Sequence, residues 1–174
     1  MNALDAIVRR RSVRSYRPDP IPKKVLKAIL LAGMAAPVAR GAYDSLYLTV
    51  VEAPELLKEI GDEASEIATA RLGRPANRNF GAPVIILVSS QKSMIPGLEY
   101  ANAATVLENM AIAATDLGLG SIVWGGAAAV AANNPWLYDQ LCIPNSFVPV
   151  LALSLGYADS ETPVQKHRIP VEFI

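Results

Sequence analysis

The chain is nearly without sulfur ligands and imidazoles. Its 174 residues include one cysteine, Cys142, and one histidine, His167. A single cysteine excludes an intramolecular disulfide and fits a reducing compartment, so a cytoplasmic location is expected. A catalytic thiol needs a histidine beside it, and His167 sits in a polar C-terminal stretch; Cys142 therefore reads as a core or helix-end residue. One Cys and one His leave a transition-metal site without ligands and speak against hydrolases built on a Ser/His/Asp set. Surplus charge is also missing. Sixteen Lys+Arg balance 16 Asp+Glu, for a formal net charge of +0 and a pI near 6.6. That balance, without a reader motif such as paired Cys/His fingers, argues against a nucleic-acid partner. No run is long enough to span a membrane: the longest apolar stretch, Ala28 to Ala39, is short and broken by Gly33 and Pro37. Met1 to Asp5 lacks a basic leader region and carries charge at once, so no signal peptide is expected.

What the chain does have is apolar surface. The hydrophobic fraction is 52% and the mean hydropathy +0.27. A single domain over residues 1–174 is expected, with the apolar excess directed to a subunit interface. Local patterns give helices and strands in alternation. Asp5 to Arg10 reads as the end of a short helix. Pro22 opens a second, with Val25, Leu26, Ile29 and Leu30 on its inner face and a stop at Pro37. Leu46 to Val51, Val84 to Ser90, Ser121 to Trp124 and Val148 to Tyr157 read as strands, the second a continuous apolar run suited to a sheet centre. Between them the spacing predicts helices over Pro54 to Gly61, Asp62 to Leu72, Tyr100 to Leu117 and, capped by Asn134, Pro135 to Leu141. The sum is an α+β sandwich around a small central sheet. Gly118-x-Gly120 lies between a helix and a strand, the reverse of the order a dinucleotide fingerprint needs, so a doubly wound Rossmann unit is not expected.

Charge is concentrated where it is scarce overall. Arg9-Arg10-Arg11-Ser12-Val13-Arg14-Ser15-Tyr16 gathers four cations and two serine hydroxyls into eight residues, and Lys166-His167-Arg168 repeats the theme near the other end. Either run alone reads equally as solvated surface. Brought together, guanidinium forks and an ammonium suit one phosphate.

Several segments, in order, resemble the flavin-dependent nitroreductase family, its small single-domain members in particular. They are Arg10-Arg11-Ser12-Val13-Arg14, Ala35-Ala36-Pro37, Phe80-Gly81-Ala82-Pro83, Glu108-Asn109-Met110, Leu117-Gly118-Leu119-Gly120-Ser121, Ile143-Pro144, Leu155-Gly156-Tyr157 and Lys166-His167-Arg168-Ile169-Pro170. The resemblance implies a mainly antiparallel sheet flanked by helices, an intertwined homodimer, and FMN at its interface. It implies hydride transfer from NAD(P)H to FMN and reduction of nitroaromatics, quinones or related acceptors. Arg10, Arg11, Ser12 and Arg14 would hold the FMN phosphate, with Lys166 and Arg168 closing the site. Pro37, Val38 and Ala39 would meet the flavin from the partner subunit. Gly125 and Gly126 would approach its N5 edge through backbone N–H groups, or else form a plain turn after the strand. Arg78, or alternatively Asn77, would reach the pyrimidine edge, unless both belong to an ordinary polar loop. The family's Pro-Ser-x-x-Asn-x-Gln-Pro-Trp run is replaced here by Pro37-Val38-Ala39-Arg40-Gly41-Ala42-Tyr43-Asp44-Ser45, which leaves Arg40, Gly41 and Tyr43 to shape the substrate pocket. An Asp common early in the long helix is Asn102. No nucleophile, acid–base pair or metal is required, because the cofactor carries the chemistry. Another flavin enzyme on this scaffold, such as a dehalogenase or azoline oxidase, and a non-catalytic flavin-binding protein are the competing readings.

Overall fold

The computed structural model describes residues 1–160, 163–164 and 167–174. Four strands, Leu46–Val51 (β1), Val84–Ser90 (β2), Gly120–Trp124 (β3) and Val148–Gly156 (β4), form one sheet in the order β1-β2-β4-β3. Every neighbouring pair is antiparallel. Six α-helices among the described residues cover it: Ala3–Arg9 (α1), Lys23–Met34 (α2), Pro54–Leu72 (α3), Leu98–Asp116 (α4), Gly125–Asn133 (α5) and Pro135–Gln140 (α6). The expected α+β sandwich is therefore what forms.

The sheet sits between two helical layers because its central strand has no polar face. All seven residues of β2 are buried. Successive side chains point to opposite faces. Val84, Ile86 and Val88 join the layer of α2 and α4, where Ile29, Leu107 and Met110 are fully buried. Ile85 and Leu87 join the layer of α3, α5 and α6 with Ile60, Val130 and Leu137. A strand covered on both sides is apolar along most of its length, as Val84 to Val88 are before the buried Ser89 and Ser90, and that is what the sequence pattern signals.

Two elements differ from expectation. The stretch from Pro54 to Leu72 is one helix rather than two. Gly61 and Asp62, read as a break, lie inside it. Gly61 is there for close packing: a Cβ would come within 2.7–2.9 Å of Asn79, on the loop that returns from the helix end. The second difference is α5. Gly125-Gly126 is not a turn but the start of a helix. Its alanine-rich sequence carries no polar–apolar alternation, because Ala127, Ala128, Val130 and Ala131 are all buried.

The basic run near the N-terminus is strapped across one end of the sheet. Val13 N–H donates to the Ser121 carbonyl at 2.9 Å, Arg17 N–H to that of Tyr157 at 2.9 Å, and Asp159 N–H to that of Ser15 at 3.1 Å. Val13, Tyr16 and Ile122 bury together under it, with Phe80 and Trp124 alongside. Gly120 permits this approach, since a Cβ there would meet the Val13 side chain at 2.7–3.1 Å. No helix among the described residues is long and apolar enough to cross a membrane.

Candidate functional site

Beside this strap opens a cleft of about 710 Å³. Phe80, Trp124, Gly125 and Gly126 line it together with Arg14, Arg78 and the α3 residues Ile67, Arg71 and Leu72. Trp124 is held rigidly. Its Nε1–H donates to Ser154 Oγ at 2.9 Å, and its ring meets Phe80 edge-on, with centroids 5.3 Å apart. The helix α5 begins directly against that indole. A Cβ on Gly126 would stand 3.0–3.1 Å from the indole ring, whereas one on Gly125 would find its nearest neighbour at 4.0 Å. Trp124 occupies the N-cap position, and its side chain makes no hydrogen bond to the N–H groups of the helix start. The first N–H groups of a helix have no partner within it and carry partial positive charge. Here they open at the cleft.

The cleft is strongly basic. Arg14 makes one weak contact, Nη1–H to its neighbour Ser12's carbonyl at 3.4 Å. None of Arg14, Arg71 and Arg78 forms a salt bridge among the described residues, and no Asp or Glu lines the cleft. Arg78 is positioned by its backbone: its N–H donates to Ser65 Oγ at 2.7 Å, while Ala76 N–H donates to Thr69 Oγ1 at 3.0 Å. Both hydroxyls belong to α3, so the returning loop is tied along that helix. Asn77 turns inward to its own loop, where its Oδ1 accepts Asn79 N–H at 2.8 Å, and it does not line the cleft. Below the strap, burial raises the Tyr16 phenol well above its ordinary pKa, with Arg14 pulling the other way.

The remaining residues singled out in the sequence lie elsewhere in the protomer. Arg10 Nε pairs with Glu108 Oε1 at 3.3 Å. Arg11 turns to a smaller pocket of about 200 Å³ shared with Arg9 and Gly118, and its Nε is buried with no hydrogen-bond partner. Ser12 is half-buried in a parallel bridge to Ser121. Arg168 is exposed, and Lys166 lies outside the described residues. Pro37, Val38 and Ala39 line none of the Arg14 cleft. They form a loop tied down by side chains: Ala39 N–H donates to Asn102 Oδ1 at 3.0 Å, and Thr105 Oγ1–H to the Pro37 carbonyl at 3.0 Å. Tyr43 Oη–H donates to the Ala36 carbonyl at 3.1 Å. Arg40 and Gly41 follow in left-handed backbone, at φ 61° and 64°. They border a polar hollow of about 440 Å³ with Ser90, Glu99 and Asn102, whereas Tyr43 borders a separate apolar groove of about 530 Å³ with Met34, Leu46 and Tyr47. One protomer thus joins Arg14, Arg78, Gly125 and Gly126, and leaves the Pro37–Ala39 loop apart. Sequence reasoning places Trp124 beside the glycine pair but does not single out Ile67 or Arg71 as cleft residues. The one signal available was the i, i+4 spacing of Ile67 and Arg71 on the same helical face.

Comparison with known proteins follows the same lines. The model of the nitroreductase family matches residues 7–157. A protein of Methanothermobacter thermautotrophicus named "Putative NADH dehydrogenase/NAD(P)H nitroreductase" is 30% identical over 90% of this chain and 78% of its own length. One of the same name from Archaeoglobus fulgidus is 33% identical over 91% of this chain and 86% of its own. A nitroreductase with bound FMN from Bacteroides fragilis superimposes with a TM-score of 0.81 at 25% identity, over 100% of this chain and 97% of that one. One from Desulfitobacterium hafniense shares the fold at a TM-score of 0.85 and 23% identity, over 99% and 100% of the two chains. With the family model spanning most of its length and two relatives at 30% identity or above, this chain belongs to the nitroreductase family.

Proposed function

We propose that the protein is an FMN-dependent NAD(P)H oxidoreductase that works as a homodimer and reduces nitroaromatics, quinones or related acceptors. The observation that carries this reading is the cleft itself: unpaired guanidinium groups, an uncapped helix start and a fixed aromatic wall meet in one place. Those features fit FMN. The cofactor is an anion with a flat ring, and the cleft offers cations beside apolar and aromatic surface.

The residues take the following parts. Arg14 would hold the phosphate with Ser12 of the strap; Arg10, here paired with Glu108, and Arg11, here in the smaller pocket, would turn to join it, with Lys166 and Arg168 as further cations. Arg78 lies at the polar edge of the ring. Gly125 and Gly126 present backbone N–H groups at the start of α5, where negative charge on a bound ligand is favoured. Trp124 and Phe80 would give the ring an apolar wall that excludes water. Bound FMN would supply the hydride and electron chemistry between the nicotinamide donor and the acceptor.

Homodimerisation is supported by what one protomer leaves exposed. Leu31 and Met34 of α2 are 67% and 61% exposed, and Ile169, Val171 and Phe173 of the tail are 82%, 73% and 95% exposed. Large apolar side chains left exposed in this number suit burial in an interface. The Pro37–Ala39 loop, rigid and turned away from its own cleft, then serves the cleft of the second copy, and Arg40, Gly41 and Tyr43 border the acceptor pocket there. The reading is tested by purifying the protein with FMN, sedimenting it, and adding NADH or NADPH without oxygen. A yellow dimer that bleaches and is recoloured by a quinone or nitroaromatic supports it. Bound flavin that no donor bleaches would make the protein a flavin-binding module instead.

A further inference from the structure

We infer that Arg71 selects the electron acceptor: it favours oxidants that carry a carboxylate attached directly to the reducible ring. The inference rests on reading the Arg14 cleft as the flavin site. Arg71 lies on the wall of that cleft made by α3, apart from the strap that carries Arg10, Arg11 and Arg14 and from the returning loop that carries Arg78. The cofactor's phosphate is accounted for by the strap, and its polar ring edge by Arg78. Arg71 is left over, and no carboxylate of the protein answers it among the described residues.

Its neighbours say what kind of ligand it would meet. Ile67 and Leu72 line the same wall at 50% and 47% exposure, and Val123 joins them at 37%. A cation in the last turn of a helix is also favoured by the helix dipole. The dipole explains a positive charge there, but not the uncovered apolar side chains around it. Apolar surface beside an unpaired guanidinium suits a flat ring with an anionic substituent. Ile67 and Arg71 are one helical turn apart, about 6 Å along the axis. That spacing matches a carboxylate on the ring itself rather than the distant phosphate of a dinucleotide, and a planar carboxylate matches the guanidinium fork.

The test compares acids with their amides. Flavin-loaded wild type and Arg71→Gln are titrated calorimetrically with benzoate and with benzamide, and kcat/KM is measured for 4-nitrobenzoate and 4-nitrobenzamide. The inference predicts that Arg71→Gln weakens benzoate binding and lowers kcat/KM for 4-nitrobenzoate by about tenfold or more, the loss of a charge-assisted contact. Both amides should change less than about twofold, and Arg71→Lys should recover part of the loss. Kinetics with NADPH and with NADH should be equally insensitive to Arg71→Gln; a selective loss with NADPH would reassign Arg71 to the donor's phosphate and overturn the inference. Equal effects on acid and amide, or none, would also overturn it. If the protein took up no FMN, the parent reading would fail, and the benzoate titration on flavin-free protein would still decide Arg71.

Discussion

The two halves of the candidate site are built in opposite ways. Around Arg14 the polar groups are unanswered: Arg14, Arg71 and Arg78 lack ion-pair partners among the described residues, and α5 starts without a cap. Around Pro37–Ala39 each exposed end of the loop is already tied inside the protomer, by Asn102, Thr105 and Tyr43. Unanswered donors wait for a ligand, because leaving them empty costs little while they face solvent and gains much when an anion arrives. A loop fully bonded within its own chain has nothing left to offer but its shape. On the proposed function the first region would receive an anion, and the second would be a preformed surface for a second copy of the chain. The contrast predicts that substitutions in the cleft change binding and rate without unfolding the protein, whereas substitutions under the loop change stability first.

The sharpest way to break the contrast is at Gly126. A valine there would press on the Trp124 indole, which a Cβ alone already approaches to 3.0–3.1 Å. Misplacing the ring wall by a fraction of an ångström to an ångström should slow flavin reduction by NAD(P)H by up to roughly hundredfold. FMN affinity should fall much less, since the phosphate anchors lie elsewhere. Stopped-flow bleaching and flavin titration of Gly126→Val check both, and an unchanged reduction rate would remove the start of α5 from the site. Next in size is Arg14→Ala. Loss of a charge-assisted contact of about 1.5–3 kcal/mol should weaken FMN binding about tenfold to hundredfold. The urea midpoint of the flavin-free protein should stay where it was, because Arg14 anchors nothing in the fold beyond a 3.4 Å contact to Ser12.

On the loop side the pattern inverts. Asn102 is buried and its Oδ1 accepts Ala39 N–H. Asn102→Ala leaves that N–H unpaired and should cost about 1–3 kcal/mol of stability by urea unfolding. Affinity for FMN measured on the folded variant should change less than with Arg14→Ala. The smallest effect concerns Glu99, which borders the hollow beside Arg40 and Gly41. Its carboxylate accepts Ser93 N–H at 2.7 Å, and that hydrogen bond, first among the causes, holds its pKa below the ordinary value. A depressed carboxylate pKa stabilises the fold above the unfolded-state pKa, and the contribution is lost as pH falls through the folded-state value. Glu99→Gln should therefore lower stability slightly near neutrality, where the ionised carboxylate contributes, and converge with the wild type as pH falls through the carboxylate range, which flattens the acid limb of the stability curve.

Much of this was legible in the sequence where local pattern and burial agree. The run Val84 to Ser90 reads as a central strand because both its faces are covered, and Asn134-Pro135 reads as a helix start because the Asn134 side chain accepts Leu137 N–H. Pattern reading failed where tertiary packing fixes what a residue does. Gly61 resembles a helix break, yet it is a contact point for Asn79. Gly125-Gly126 resembles a turn, yet it opens a helix whose inner face is alanine and so carries no periodic signal. For the site, the motif order picked out Arg14, Arg78 and the glycine pair, which the fold brings into one cleft. Arg71 and Ile67 stayed invisible, because nothing local says which neighbour a helix face meets.

The central claim is that the cleft is built to hold a flavin by its phosphate, and one titration tests it directly. Flavin-free protein is titrated with FMN and with riboflavin, which share the ring and differ by the phosphate. The account predicts that FMN binds at least about tenfold more tightly, and that raising the salt concentration narrows the gap, since the contacts are ionic. Equal affinity for the two flavins would contradict it.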